Sequence, residues 1–229
     1  MLKYLLFSAI FSVALAEELY FGSGCYWVRQ HDYVELEMAS FGRTRSEVTA
    51  VGGYMFGKSR ATARACYYNE HNYSIYSQEG HAEVVKIDVP KGKLPTIFKT
   101  YFNSFVRVGE KTWEREDGFD LGSGYRALVA FKNGTKNERM MQILRIADPH
   151  NTTFIAGAGS DADTLGTNRI FIYDSTLFDF HQAELCLQFR NSQAGPKYSK
   201  HYHEIKDILL SAGKLRKTGC PPPEVLGCM

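Results

Sequence analysis

Residues 19–27, Leu-Tyr-Phe-Gly-Ser-Gly-Cys-Tyr-Trp, constrain this chain more than any other stretch. Leu19, Tyr20 and Phe21 make a short apolar strand that runs into Gly22 and Gly24. Glycine has no Cβ, so the backbone is free to turn tightly there. A helix that opens just after the turn puts Cys25 in its first turn. Unpaired N–H groups at that end carry partial positive charge and favour a thiolate. Tyr26 and Trp27 wall the sulfur with apolar surface. The pattern builds a cysteine nucleophile beside a greasy pocket. It also fits a buried structural cysteine on a strand–turn–helix, and these residues alone do not separate the two.

Residues 1–16 read as a secretory signal peptide: a basic start at Lys3, an apolar run from Tyr4 to Leu15, and a small-x-small site at Ala14-Leu15-Ala16. The run is shorter than the ~20 apolar residues of a membrane span. The mature protein is therefore expected to be secreted, or held in the secretory pathway, with no membrane attachment. Cleavage removes Lys3 and no acid, so the 25 acidic residues face a nearly equal number of basic ones. That balance argues against nucleic acid or an anionic membrane as the partner. Sequons at Asn72, Asn133 and Asn151 suit a glycoprotein of that route. The cysteines are 25, 66, 186, 220 and 228. An odd count in an oxidising compartment leaves one thiol unpaired or one pair that cycles.

Hydrophobic periodicity and turn residues predict strands alternating with helices. Strands are expected over 18–21, 46–53, 81–89, 125–131, 153–155 and 169–173. Helices are expected over 26–39, 94–106, 136–147, 177–190 and 198–214. Residues 58–72 read as a polar loop with room for a helical turn at 61–66, and 113–124 as a charged, glycine-rich loop. The fold class is α/β (α+β): a single two-layer domain with a mixed central sheet, helices packed on it and a flexible C-terminal tail. The boundaries are 1–16 for the signal peptide, 17–193 for the catalytic domain and 194–229 for a C-terminal helix and cysteine-bearing tail.

Three further segments occur in order after the first: Thr49-Ala50-Val51-Gly52-Gly53-Tyr54, Gly80-His81-Ala82-Glu83-Val84-Val85, and the run from Asp117 through Asp120 to Tyr125-Arg126. Together the four resemble the A-type peptide-methionine sulfoxide reductases. That family carries Gly-Cys-Phe-Trp, Gly-Tyr-x-Gly-Gly, Gly-His-Ala-Glu and Asp-x-Gly-x-Gln-Tyr-Arg. Phe180-His181-Gln182 is similar to its later Tyr-His-Gln element. The resemblance spans residues 18 to about 185.

The resemblance implies thiol-dependent reduction of peptidyl or free methionine S-sulfoxide through a cysteine sulfenic acid and a disulfide. Cys25 is then the nucleophile, and Tyr26 and Trp27 hold the substrate methyl. Glu83 protonates the sulfoxide oxygen, which requires burial to raise its pKa. Asp120 and Tyr125 help bind that oxygen. Read without the resemblance, Glu83 is a strand-edge surface carboxylate, Asp120 a turn residue and Tyr125 part of the core. The family's remaining tyrosine has no clean counterpart, because Ile75-Tyr76-Ser77-Gln78 stands where Val-Cys-Ser-Gly is usual. Tyr73 is the first candidate, with Tyr68 and Tyr76 behind it. Cys220 is expected to attack the oxidised Cys25, and Cys228 to pass the disulfide outward. A structural bridge between those two, or pairing of either with Cys66 or Cys186, remains open. Cys186 reads as buried core on a helix, and Cys66 is unassigned.

The family binds no cofactor and implies an external thioredoxin-like dithiol, oxidised proteins or peptides as partners, and a monomer. His201-Tyr202-His203 lacks a third ligand nearby and is taken as a solvated helix face rather than a metal site. The chain departs from the family at Val28, which replaces a glycine, at Gly124, which replaces glutamine, and in a longer segment after His181. Two rival readings survive: a non-catalytic methionine-binding domain of the same fold, and a general thiol peroxidase that would not need Glu83.

Overall fold

The computed structural model describes residues 16–57, 64–67, 74–191 and 197–221. Its elements are β1 (Ala16–Gly22), α1 (Tyr26–Ser40), β2 (Val51–Met55), β3 (Ala65–Cys66), β4 (Ser74–Ile75), β5 (Ala82–Pro90), α2 (Leu94–Phe102), β6 (Phe105–Arg107), β7 (Trp113–Arg115), β8 (Leu128–Phe131), α3 (Glu138–Ala147), β9 (Thr153–Ala156), β10 (Arg169–Asp174), β11 (His181–Gln182) and α4 (Lys200–Ser211). Seven strands form one sheet in the order β11-β2-β5-β1-β8-β10-β9. The pairs β8–β10 and β10–β9 are parallel and the other four antiparallel, so the sheet is mixed as expected.

Alternation along β5 sorts its side chains between the two faces. Val85, Ile87 and Val89 join the larger core, with the helices, while Ala82 and Val84 join a smaller cluster with Tyr20, Phe56, Leu128 and Tyr173. Glu83 falls on the helix side of this alternation. The register pairs Phe21 with Val85, which brings the end of β1 beside Glu83. Gly22 is required at that crossing, because a Cβ would lie 2.8 Å from the Glu83 carbonyl oxygen and 2.9 Å from Leu128.

The structure departs from the sequence reading in several places. Trp113–Arg115, read as loop, is strand paired with β6, and the strand read from 125 begins at Leu128, because Ser123–Tyr125 is a 3-10 turn. The second strand starts at Val51 rather than at 46. The N–H groups of Thr49 and Ala50 donate to the buried Glu37 carboxylate, each at 3.0 Å, and so are withdrawn from any ladder. The second helix stops at Phe102. Phe105 keeps the helical spacing, but Ser104 donates its hydroxyl to Tyr101 O and accepts Glu116 N–H, and β6 then pairs with β7. Ala65–Cys66 is strand, paired with β4, not a helical turn. Residues 177–190 form β11 and short 3-10 turns instead of a helix.

Two glutamine side chains hold that last segment. Gln188 accepts Gly52 N–H at 3.0 Å and donates to Gly52 O and Ala183 O at 2.8 and 3.1 Å. Gln30 donates to Gln188 and accepts Phe189 N–H, both at 2.8 Å. Backbone groups that a helix would have satisfied internally are satisfied here by amides from elsewhere in the chain. Among the described residues no helix is long and apolar enough to cross a membrane. The stretch read as a leader lies outside the described residues, apart from Ala16.

Candidate active site

Cys25 is the N-cap residue of α1, in extended backbone conformation. Gly24 precedes it at φ +78°, and a Cβ there would lie 2.5 Å from the Asp117 side chain. Turn and close approach therefore both demand glycine. The first donors of α1 are claimed by acids. Cys25 N–H donates to Asp117 at 2.8 Å and Tyr26 N–H to Glu83 at 2.9 Å, while Trp27 N–H is aimed at the Cys25 sulfur. Asp117 was not singled out from the sequence. Its signal was its place at the head of the Asp117–Arg126 segment, and its carboxylate also accepts Phe119 and Asp120 N–H, each at 3.2 Å.

Glu83 is buried, not a surface carboxylate. Its second oxygen accepts the Tyr76 hydroxyl at 3.1 Å. Burial, against the lowering effect of Tyr26 N–H, pushes its carboxyl up to about 8, so it is protonated at neutral pH. Of the three candidate tyrosines between the glycine turn and Gly80, Tyr76 is the one among the described residues, and it reaches Glu83. Tyr73 and Tyr68 lie outside the described residues. Tyr76 stacks on Tyr54 with ring centroids 4.4 Å apart, and Tyr125, half-buried, engages both Tyr76 and Tyr67 through its hydroxyl. Asp120 is half-buried, and burial followed by repulsion from Asp117 raises it to about 6.

Cys25 is half-buried and is the free cysteine among those described. Its thiol is pushed well above the ordinary value, first by burial and then by the Glu83 charge. The expected resting thiolate is therefore corrected. The partial positive charge of the helix end is outweighed by desolvation and by the acids gathered around it. Tyr26 and Trp27 are 1% and 5% exposed. Tyr26 packs on Gly52, and the Trp27 ring lies under Arg190 at 4.8 Å. Both rings are enclosed and present no open surface. The segment after His181 packs on α1 as well, where Tyr198 stacks on His31 at 3.6 Å.

The cysteines of the second half differ from expectation. Cys220 is bridged to Cys66, so its sulfur is not free to attack Cys25 in this state. The bridge also pins residues of the tail that was expected to be flexible. Cys186 sits in a 3-10 turn, not a helix, and is disulfide-bonded rather than plain core. Cys228 lies outside the described residues. His201 pairs with Glu204 at the surface, while His203 is drawn inward to Phe189 O at 2.7 Å.

A free cysteine at a helix start above a buried, protonated glutamate agrees with what sequence comparison finds. Residues 17–155 match the family described as peptide methionine sulfoxide reductase. The chain belongs to the peptide methionine sulfoxide reductase family. It is 27% identical over 125 residues to the peptide methionine sulfoxide reductase MsrA of Ruthia magnifica, covering 55% of this chain and 66% of that one. It is 25% identical over 134 residues to the MsrA of Vesicomyosocius okutanii, covering 58% and 72%. The chain thus spans about two thirds of the length of these relatives. Among solved structures, methionine sulfoxide reductase A of Corynebacterium diphtheriae aligns at 15% identity and a TM-score of 0.43, covering 90% of this chain and 78% of that one. Mxr1 of Saccharomyces cerevisiae in reduced form aligns at 15% identity and 0.46, covering 75% and 82%.

Proposed function

We propose that this protein reduces methionine S-sulfoxide, in peptides or free, with Cys25 as nucleophile and Glu83 as proton carrier. The observation that carries this is the Glu83 carboxyl, buried at the start of α1, tied to Tyr26 N–H and Tyr76 OH, and close enough to the Cys25 thiol to help raise it. The working form carries one negative charge on the pair. Glu83 accepts the Cys25 proton, leaving thiolate and neutral acid. The sulfur attacks the sulfoxide sulfur as Glu83 passes its proton to the oxygen. The products are methionine, Cys25 sulfenic acid and Glu83 carboxylate, so proton and charge balance. In this reading Tyr76, Tyr125 and Asp120 help hold the sulfoxide oxygen, and Tyr26 and Trp27 back the hollow that takes its methyl.

The sulfenic acid condenses with a second thiol, and an external dithiol closes the cycle. Cys220 can serve only after the Cys66–Cys220 bridge is opened. Oxidised proteins or peptides as substrates, a thioredoxin-like reductant and a secretory location complete the reading. The purified mature chain with dithiothreitol should convert a peptidyl methionine S-sulfoxide, and Cys25→Ser should abolish this. No turnover by the intact protein would end the proposal. The raised thiol and enclosed aromatic rings favour one competitor, a methionine-binding domain without chemistry. It predicts methionine-peptide binding with no sulfenic acid trapped at Cys25 after exposure to sulfoxide.

A further inference from the structure

Three carboxylates are buried among the described residues: Glu37, Glu83 and Glu184. Glu37 binds the 49–50 backbone and Glu83 belongs to the site. Glu184 takes no part in the sulfoxide step. It accepts Tyr67 N–H at 2.8 Å and the Tyr54 hydroxyl at 2.9 Å. A carboxylate oxygen of Glu184 and the sulfurs of Cys66 and Cys220 all lie within 4.8 Å of one another. The two sulfurs are unequal. Cys66 is fully buried, whereas Cys220 is half-buried. An approaching thiolate reaches Cys220, and Cys66 must leave into the protein interior, where an unprotonated thiolate is costly.

We propose that Glu184 is the proton donor for opening the Cys66–Cys220 disulfide by an external dithiol. This rests on the reading above, in which such a dithiol sustains turnover. One thiol of the reductant loses its proton to solvent and attacks Cys220 Sγ. The S–S bond breaks, and Cys66 Sγ departs with the electron pair and takes the Glu184 proton. The second thiol of the reductant gives its proton to the Glu184 carboxylate and attacks the mixed disulfide at the reductant's own sulfur. Cys220 leaves and is protonated from solvent. The dithiol ends as a disulfide, oxidised by two electrons, and Cys66 and Cys220 end as two thiols. Burial raises the Glu184 carboxyl from its ordinary value, against the lowering effect of Tyr67 N–H and Tyr54 OH. The other titratable groups at this end are Tyr54 and Tyr26 from inside, and Arg64, His181, Arg216 and Lys217 along an outer groove of about 260 Å³ that includes Ala65 and Thr218.

The test is the opening rate of this bridge in the folded full chain under excess dithiothreitol from pH 4 to 8, quenched by alkylation and read by peptide mapping. Rates are divided by the thiolate fraction of the reductant. The wild-type quotient should fall as pH rises, because Glu184 loses its proton. Glu184→Gln keeps an acceptor for Tyr67 N–H, and should be slower by about tenfold or more at the acidic end of that range, with a flat profile. Equal quotients for the two proteins at every pH, or a wild-type bridge that stays closed, would overturn the proposal. Should Glu184→Gln not fold, Tyr54→Phe decides. It removes a hydrogen bond that favours the carboxylate, so the wild-type inflection should move to higher pH, and an unmoved inflection contradicts the proposal. Methionine release in a single turnover from Cys25 is measured separately. Its absence beside normal bridge opening would defeat the functional reading and leave this one standing.

Discussion

Glu83 shows how one residue can be legible in sequence and still surprise in structure. The Gly-His-Ala-Glu frame marks it, but only burial explains a carboxyl raised to about 8. Because Cys25 is raised further, the first proton lost by the pair comes chiefly from Glu83, and the reactive thiolate–acid form is a minority tautomer. The rate constant kcat/KM should therefore rise with pH through about 8; a profile already level from pH 6 would contradict the shared-proton scheme. Glu83→Gln should lower kcat by about 10²–10³. Stability carries the same signature. The folded carboxyl titrates above its unfolded value of 4.5, so its contribution is complete below pH 4.5 and is lost as pH rises towards 8. Glu83→Gln should match the wild type in thermal unfolding at pH 5, and exceed it at pH 9 by on the order of a few kcal/mol.

At the scale of elements, the site depends on segments with little regular structure. The strand–turn–helix from β1 to α1 was readable because glycine at 24 and apolar spacing are local signals. The segment after β11 was not, since its conformation is imposed by Gln30 and Gln188 from outside. Leu177, Leu185 and Phe189 recur at helical spacing, yet Phe189 is buried while Leu177 is 55% exposed. Gln188→Ala would take the side-chain acceptor from Gly52 N–H and one donor each from the Gly52 and Ala183 carbonyls, which keep Ala183 N–H and the Gln182 amide. Unpaired buried polar groups cost about 1–3 kcal/mol each. The variant should unfold at clearly lower denaturant concentration, with faster amide exchange at Gly52. An unchanged midpoint would mean that water or a neighbour replaces the amide.

For the whole molecule, the Cys66–Cys220 bridge ties residues 154 apart in sequence. Cross-links over such long loops stabilise by roughly 2–5 kcal/mol. Cys220→Ser should lower stability by an amount in that range, yet leave one methionine released per Cys25 in a single turnover. Loss of that first turnover would place Cys220 in the sulfoxide step itself. The sequence alone determined the mixed α/β class, most strand and helix positions, and the four motifs that bring Cys25, Glu83, Asp120 and Tyr125 into one family pattern. Those rest on short-range signals: glycine where the backbone must turn, apolar periodicity where a face must be buried. Tertiary structure alone decided the Cys66–Cys220 pairing, the choice of Tyr76 as partner to Glu83, the capping of Cys25 N–H by Asp117 and the protonated state of the thiol. Each depends on which atoms meet across the fold and on how much water they lose there, and neither quantity is written in the spacing of residues along the chain.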